Sequence, residues 1–232
     1  MAARHRPRGK FGGPVFRVCQ TRFRTDILVG MVTFADEIHT RLTELDRPRL
    51  ARFAVACATR MEPVFTTFSR STGPETYRNW IDELSPDLAE SVIESVMETP
   101  ESMVDDSNRP DYYAMRVLGS VVYAAQTMMD DDPLKAAMSA SGTTVSVLRD
   151  FDHALAGGHR SLAEAELAAQ HADLDRLVAG TGEGMLLAAR SSALYPELGP
   201  ATHEVTKVND WDLSGRAGLT PPMSVRVMSP IT

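Results

Sequence analysis

The chain has 232 residues, 43% of them hydrophobic, 24% charged and 6% aromatic, with a formal net charge of −7. That length and apolar fraction let one domain bury a real core, and they exclude collagen-like, disulfide-scaffold and wholly disordered chains. The charge is segregated: residues 1–30 hold Arg4, Arg6, Arg8, Lys10, Arg17, Arg22 and Arg24 against Asp26, a net +6, which leaves −13 for the remainder and no continuous basic face for a phosphate backbone.

Residues 1–30, with Pro7, Gly9, Gly12, Gly13 and Pro14 among the arginines, have no sustained apolar period and predict a disordered basic arm. Met31 directly precedes the first well-formed helix signal, so the same residues also fit a translation-start overcall. Their basic start is not followed by an apolar run of secretory type, and no uncharged stretch reaches the roughly 18 residues of a membrane span. Cys19 and Cys57 are too few for a disulfide framework, so the sequence predicts a cytoplasmic protein.

From Thr33 the helix signals become regular. Phe34, Ile38, Leu42 and Leu45 line one face behind a Thr33 cap, and after the break at Asp46–Pro48 an amphipathic helix places Leu50, Phe53, Ala54, Cys57, Ala58 and Met61 on one stripe. Pro63 restarts the chain through Val64, Phe65 and Phe68. Pro74 opens a short helix carrying Tyr77, Trp80, Ile81 and Leu84, and Ser85–Pro86 opens another, with Leu88, Val92, Ile93, Val96 and Met97 expected inward. The polar stretch Pro100–Pro110 predicts a loop.

Residues 111–130 predict the central helix, because Ala114, Val117, Leu118, Val121, Val122, Ala125, Met128 and Met129 hold one face for several turns. Asp132 and Pro133 start a helix that stops at Gly157–Gly158, with a bend expected near Ser139–Thr144 and close helix approach at Ala140 and Gly142. Ser161 and Glu164 have the spacing of a capping box ahead of a helix striped by Leu167, Leu174, Leu177 and Val178. A short helix over Met185–Leu194 follows, then a poorly ordered tail in which Val225 and Val227 permit a short strand.

Three stretches resemble the YjaG-like bacterial proteins, a family of unknown function numbered 416. They are RLTELDRPRLARFAVACATRMEPVFTTFSRSTG (41–73), DYYAMRVLGSVVYAAQTMMDDDPLKAAMSASGTTVSVL (111–148) and EAELAAQHADLDRLV (164–178). The resemblance implies a compact helical domain and carries over no catalytic residue.

Few residues suggest chemistry. Asp150 and His153 share a helix face, and His171 borders the apolar stripe of the next helix, so Asp150, His153 and His171 are the candidates for a metal or a small polar pocket if the two imidazoles converge. The glycines of Gly180–Gly184 follow a helix and lack a Walker lysine, which fits a helix stop, and Asp130–Asp132 fit helix capping. Tyr77, Trp80, Tyr112, Tyr113 and Tyr123 suit either core or interface.

The sequence therefore predicts a single compact all-α bundle of about seven to nine helices over residues 31–198, with disordered extensions at 1–30 and 199–232. It assembles no nucleophile with a base, so the expected function is non-enzymatic, exerted through a protein interface, as a homodimer or with another protein, and without a cofactor. The alternative is a small-molecule or metal-dependent enzyme with its pocket near Asp150, His153 and His171; nucleic-acid contact is expected only through the basic arm.

Overall fold

The computed structural model describes residues 32–154, 162–182 and 184–190, with Ala201 and Val205. Among these residues there are nine α-helices, one 3-10 turn and no strand. The helices are α1 (Val32–Leu42), α2 (Arg47–Arg60), α3 (Glu62–Phe68), α4 (Pro74–Glu83), α5 (Ala89–Met97), α6 (Asp111–Met129), α7 (Pro133–Ala154), α8 (Leu162–Val178) and α9 (Met185–Arg190), and the 3-10 turn is Pro100–Met103. The all-α expectation is met. The basic arm, Gly157–Gly158, Ser161 and the Val225–Val227 segment lie outside the described residues. The chain divides into two units, residues 1–40 and 41–232; in the first, the Thr40 hydroxyl donates to the Asp36 carbonyl at 2.7 Å.

In the second unit α6 packs against α2, α3, α5, α7 and the 3-10 turn, which makes it central as its stripe predicts. Ala114, Val117, Leu118, Val121, Val122 and Ala125 are all buried. The Asp46 carboxylate caps α2 by accepting from Arg49 N–H at 3.1 Å, and Pro48 sits in the first turn, where a missing N–H leaves no bond unmade. The predicted stripe of α2 is buried, but so are Val55, Ala56, Thr59 and Arg60. A helix covered on nearly every side is a core helix rather than an amphipathic one, and α2 meets α6, α7, α8 and α9.

Aromatic side chains fill the space beside it. Phe68, Tyr113 and Phe151 meet with ring centroids 5.0–5.8 Å apart. Phe65 stacks on Tyr77 at 4.7 Å, and the Tyr77 hydroxyl, which burial would otherwise penalise, donates to the Ala58 carbonyl at 2.6 Å. Each fully buried ring contributes about 1.5–3 kcal/mol of apolar transfer.

Two local expectations, those at Gly142 and Leu88, are corrected. Helix α7 passes through Ser139–Thr144 without a break, the Thr144 hydroxyl returning to the Ser141 carbonyl at 2.8 Å; nothing lies within 4 Å of a side chain added at Gly142, so that glycine permits no close approach. Asp152 of α7 caps the start of α8, accepting from Leu162 N–H at 2.7 Å and Ala163 N–H at 3.0 Å; Ser161 of the expected capping box lies outside the described residues. The stretch from Pro100 opens with a 3-10 turn, Pro100–Met103, that buries Glu101, and it is irregular from Val104 to Pro110, as the loop expectation has it. Leu88, expected inward, is 46% exposed, because it lies at the cap position, ahead of the turns that give α5 its inward face. Gly180, at φ +74°, ends α8 in the left-handed region, as the helix-stop reading of that segment expects.

Candidate interaction groove

Helices α4 and α5 form a hairpin on the surface of the second unit. Their inner faces are spent on the core through Tyr77, Trp80 and Ile81 on α4 and Ala89, Val92 and Val96 on α5. Two further stripes face each other across the hairpin. Thr76, Asn79, Trp80 and Glu83 follow the i, i+3, i+4, i+7 spacing of one helix side, and Leu88, Ser91, Val92 and Ser95 repeat it on the second helix. Between them lies a groove of about 270 Å³.

The walls are fixed. Trp80 Nε1 donates to Ser95 Oγ at 3.0 Å across the hairpin, Arg78 Nε donates to the buried Glu62 carboxylate at the head of α3, and Arg190 Nη2 of α9 donates to Asp82 at 2.8 Å. The small hydroxyl side chains leave room along the walls, and Leu88 offers an apolar contact at one end. Glu83 is the one titratable side chain among the eight lining residues, so the groove pairs no acid with a base.

The electrostatics are one-sided. Residues 74–99 carry Glu75, Asp82, Glu83, Asp87, Glu90, Glu94 and Glu98 against Arg78, a net −6, and all seven carboxylates are exposed. Asp82 is paired with Arg190; the other six have no ion-pair partner among the described residues. Two acidic rows flank the groove: Asp87, Glu94 and Glu98 share a row with Ser91 on α5, and Glu75 and Asp82 share one with Asn79 on α4.

The residues singled out for metal or pocket chemistry are placed differently. Asp150 receives the buried Arg116 guanidinium, which also donates to Ser146 Oγ at 2.8 Å. His153 is exposed on the last turn of α7. His171 Nδ1 is 3.1 Å from Arg41 Nη1, and the same arginine pairs with Asp175. Asp152 caps Leu162, so His153 lies level with the start of α8; His171 is nine residues further along, about 14 Å at a helical rise. The two imidazoles are not brought together, and no group of three His, Cys, Asp or Glu side chains suited to a metal occurs among the described residues.

The sequence reading missed a buried ionic network. Arg60 of α2 donates from Nε and Nη2 to Glu166 at 2.8 and 2.9 Å, and from Nη1 to Asp173 at 2.6 Å. All three side chains are at most 2% exposed. Gln170 joins Glu166 to Ser141 and Thr144, with bonds of 2.7–3.2 Å. Burial opposes the charge on Arg60, but Glu166, Cys57 and Asp173 together hold the guanidinium above its ordinary range. Burial likewise pushes the Cys57 thiol up, against the pull of Arg60, so this cysteine is inert rather than nucleophilic. A network this enclosed joins helices and meets no substrate.

Glu101 is a second such anchor. Its Oε1 accepts from Ser69 Oγ at 2.7 Å and from the N–H groups of Arg70, Ser71 and Thr72 at 2.7–3.1 Å, while Oε2 accepts from the Thr72 hydroxyl at 2.9 Å. Burial opposes its ionisation, and the Ser69, Ser71 and Thr72 bonds outweigh burial, so its pKa is lowered. It fixes the turn from which α4 departs.

No helix among the described residues is long and apolar enough to cross a membrane. No protein-family model, curated protein or solved structure matches the chain.

Proposed function

We propose that this chain is a non-enzymatic cytoplasmic protein-binding module that docks another protein against the groove between α4 and α5. The observation that carries the reading is the groove itself: two facing helical stripes, braced by the Trp80–Ser95 bond and edged by the exposed Leu88. Elsewhere in the second unit the strongly interacting ionisable groups are engaged with one another. Arg60, Glu166 and Asp173 are sealed in the core, and Asp150 and His171 are engaged by arginines. The resemblance to YjaG-like proteins agrees with a helical domain and adds no reaction. Because the groove is flanked by net negative charge, two copies of this face repel each other, which favours a different protein as the occupant over a homodimer.

The test is site-specific photo-cross-linking in the native cell. A cross-linking residue at Asn79 or Ser91 is expected to give the same discrete protein adduct, lost when Leu88→Glu is added, whereas one at the exposed Lys135 at the start of α7 gives none. Equal adducts from all three positions, or none from Asn79 and Ser91, would overturn the reading.

A further inference from the structure

Resting on that reading of the α4–α5 groove, we infer that its occupant is a basic amphipathic helix of the partner protein, with apolar residues on one stripe and Lys or Arg on both flanks. The shape of the groove argues for a helix. A space walled by two helices, each contributing residues at i, i+3, i+4 and i+7, is what a third helix fills when its ridge enters the gap. The stripe from Thr76 to Glu83 spans about 10 Å, which matches two turns of an incoming helix. The lining hydroxyls at Thr76, Ser91 and Ser95 are short enough for a close approach, and Leu88 supplies the exposed apolar contact over a floor of the buried Trp80 and Val92.

Charge argues for a basic partner. The acidic residues do not fill the groove but run beside it, Glu75 and Asp82 along α4 and Asp87, Glu94 and Glu98 along α5, with Glu83 in the wall. A helix whose apolar stripe enters the groove therefore presents its two flanks to carboxylates on both sides. Neutral or acidic flanks would leave those carboxylates facing no cation, and an acidic helix would be repelled. The same rows would draw a basic helix in from solution and make the association sensitive to salt.

Fluorescence anisotropy of the full chain with synthetic peptides tests this. The probe is a labelled peptide of about 14 residues, Leu at i, i+3, i+4 and i+7 and Lys on both flanks. Controls are the same peptide with Glu for Lys, a scrambled Lys/Leu peptide, and a peptide of residues 1–30 of this chain, which has seven basic residues without an apolar period. The amphipathic basic peptide is expected to bind at least about tenfold more tightly than each control. That preference should fall about tenfold for Leu88→Glu and for the pair Glu83→Lys/Glu94→Lys, all at exposed positions, and should weaken between about 50 and 300 mM salt. Equal binding of the scrambled or 1–30 peptide would show attraction by charge alone and overturn the helix. Equal binding of the Glu peptide would overturn the basic partner, and a cross-linked adduct of twice the chain mass would make the occupant a second copy and overturn both. If Ser91 cross-links a different protein while the amphipathic basic peptide shows no preference, only this inference falls; if no adduct forms, the docking reading falls with it.

Discussion

Replacing Arg60 with methionine tests the buried network that joins α2 to α8. Methionine fills similar space without charge, so the loss is chiefly electrostatic. Three hydrogen bonds of 2.6–2.9 Å disappear, and Glu166 and Asp173 are left in a core where neither is more than 2% exposed. Removing one partner of a buried ion pair costs about 3–5 kcal/mol, because the survivor keeps its desolvation penalty without its counter-charge. Some relief remains: Glu166 still accepts from Gln170 Nε2 at 2.9 Å, and Asp173 from Arg176 at 3.1 Å. The expected loss is therefore about 3–4 kcal/mol in urea unfolding followed by helical circular dichroism, with little change in the denaturant slope. Adding Glu166→Gln should return about 1–2 kcal/mol, since it removes one stranded charge and keeps an acceptor for Gln170. A loss below about 1 kcal/mol, or strict additivity of the two substitutions, would refute the claim that these groups act as one unit.

Glu101 gives a pH dependence. Its pKa is lower folded than unfolded, so its contribution is fully present above the ordinary carboxylate range and is lost as pH falls through the lowered value. Stability should therefore decline on acidification below about pH 4.5, and Glu101→Gln should flatten that part of the profile while costing about 1–3 kcal/mol at neutral pH. Asp152→Ala, which strips the cap from Leu162 and Ala163, should cost about 1–2 kcal/mol in the same unfolding assay. Gly180→Ala should cost about 1 kcal/mol for backbone reasons alone, because φ is +74° and nothing lies within 4 Å of the added carbon.

What the sequence made legible was periodic and local. The stripe of α6 from Ala114 to Ala125, the break at Asp46–Pro48, the Pro63 restart and the Pro74 helix start are all dictated by neighbours a few residues away, and all are present, whereas Met129 at the end of the stripe is exposed. The Arg60 network was not legible because its partners are 106 and 113 residues distant. A signal existed in retrospect: Arg60 falls three residues after Cys57 in a helix with no charge from Phe53 to Thr59, and Glu166, Gln170 and Asp173 form an i, i+4, i+7 polar row beside the leucines of α8. Glu101 was hidden by its setting in a polar, proline-bounded stretch, where burial comes from loop donors rather than from periodicity. The groove was missed because Leu88 was assigned to the inward face of a helix that starts one residue later. Once that start is known, the exposed Ser91 and Ser95 beside the buried Val92 mark the edge between core and surface where the groove lies.

The central claim is that the α4–α5 groove is the working surface, and amide chemical-shift mapping of the full chain during titration with the basic amphipathic peptide tests it most directly. The account predicts saturable shifts centred on Thr76, Asn79, Trp80, Leu88, Ser91 and Ser95, with the Trp80 indole N–H among the largest because its bond to Ser95 crosses the groove. Shifts centred instead on the Asp150, His153 and His171 surroundings, or none at saturating peptide, would contradict it.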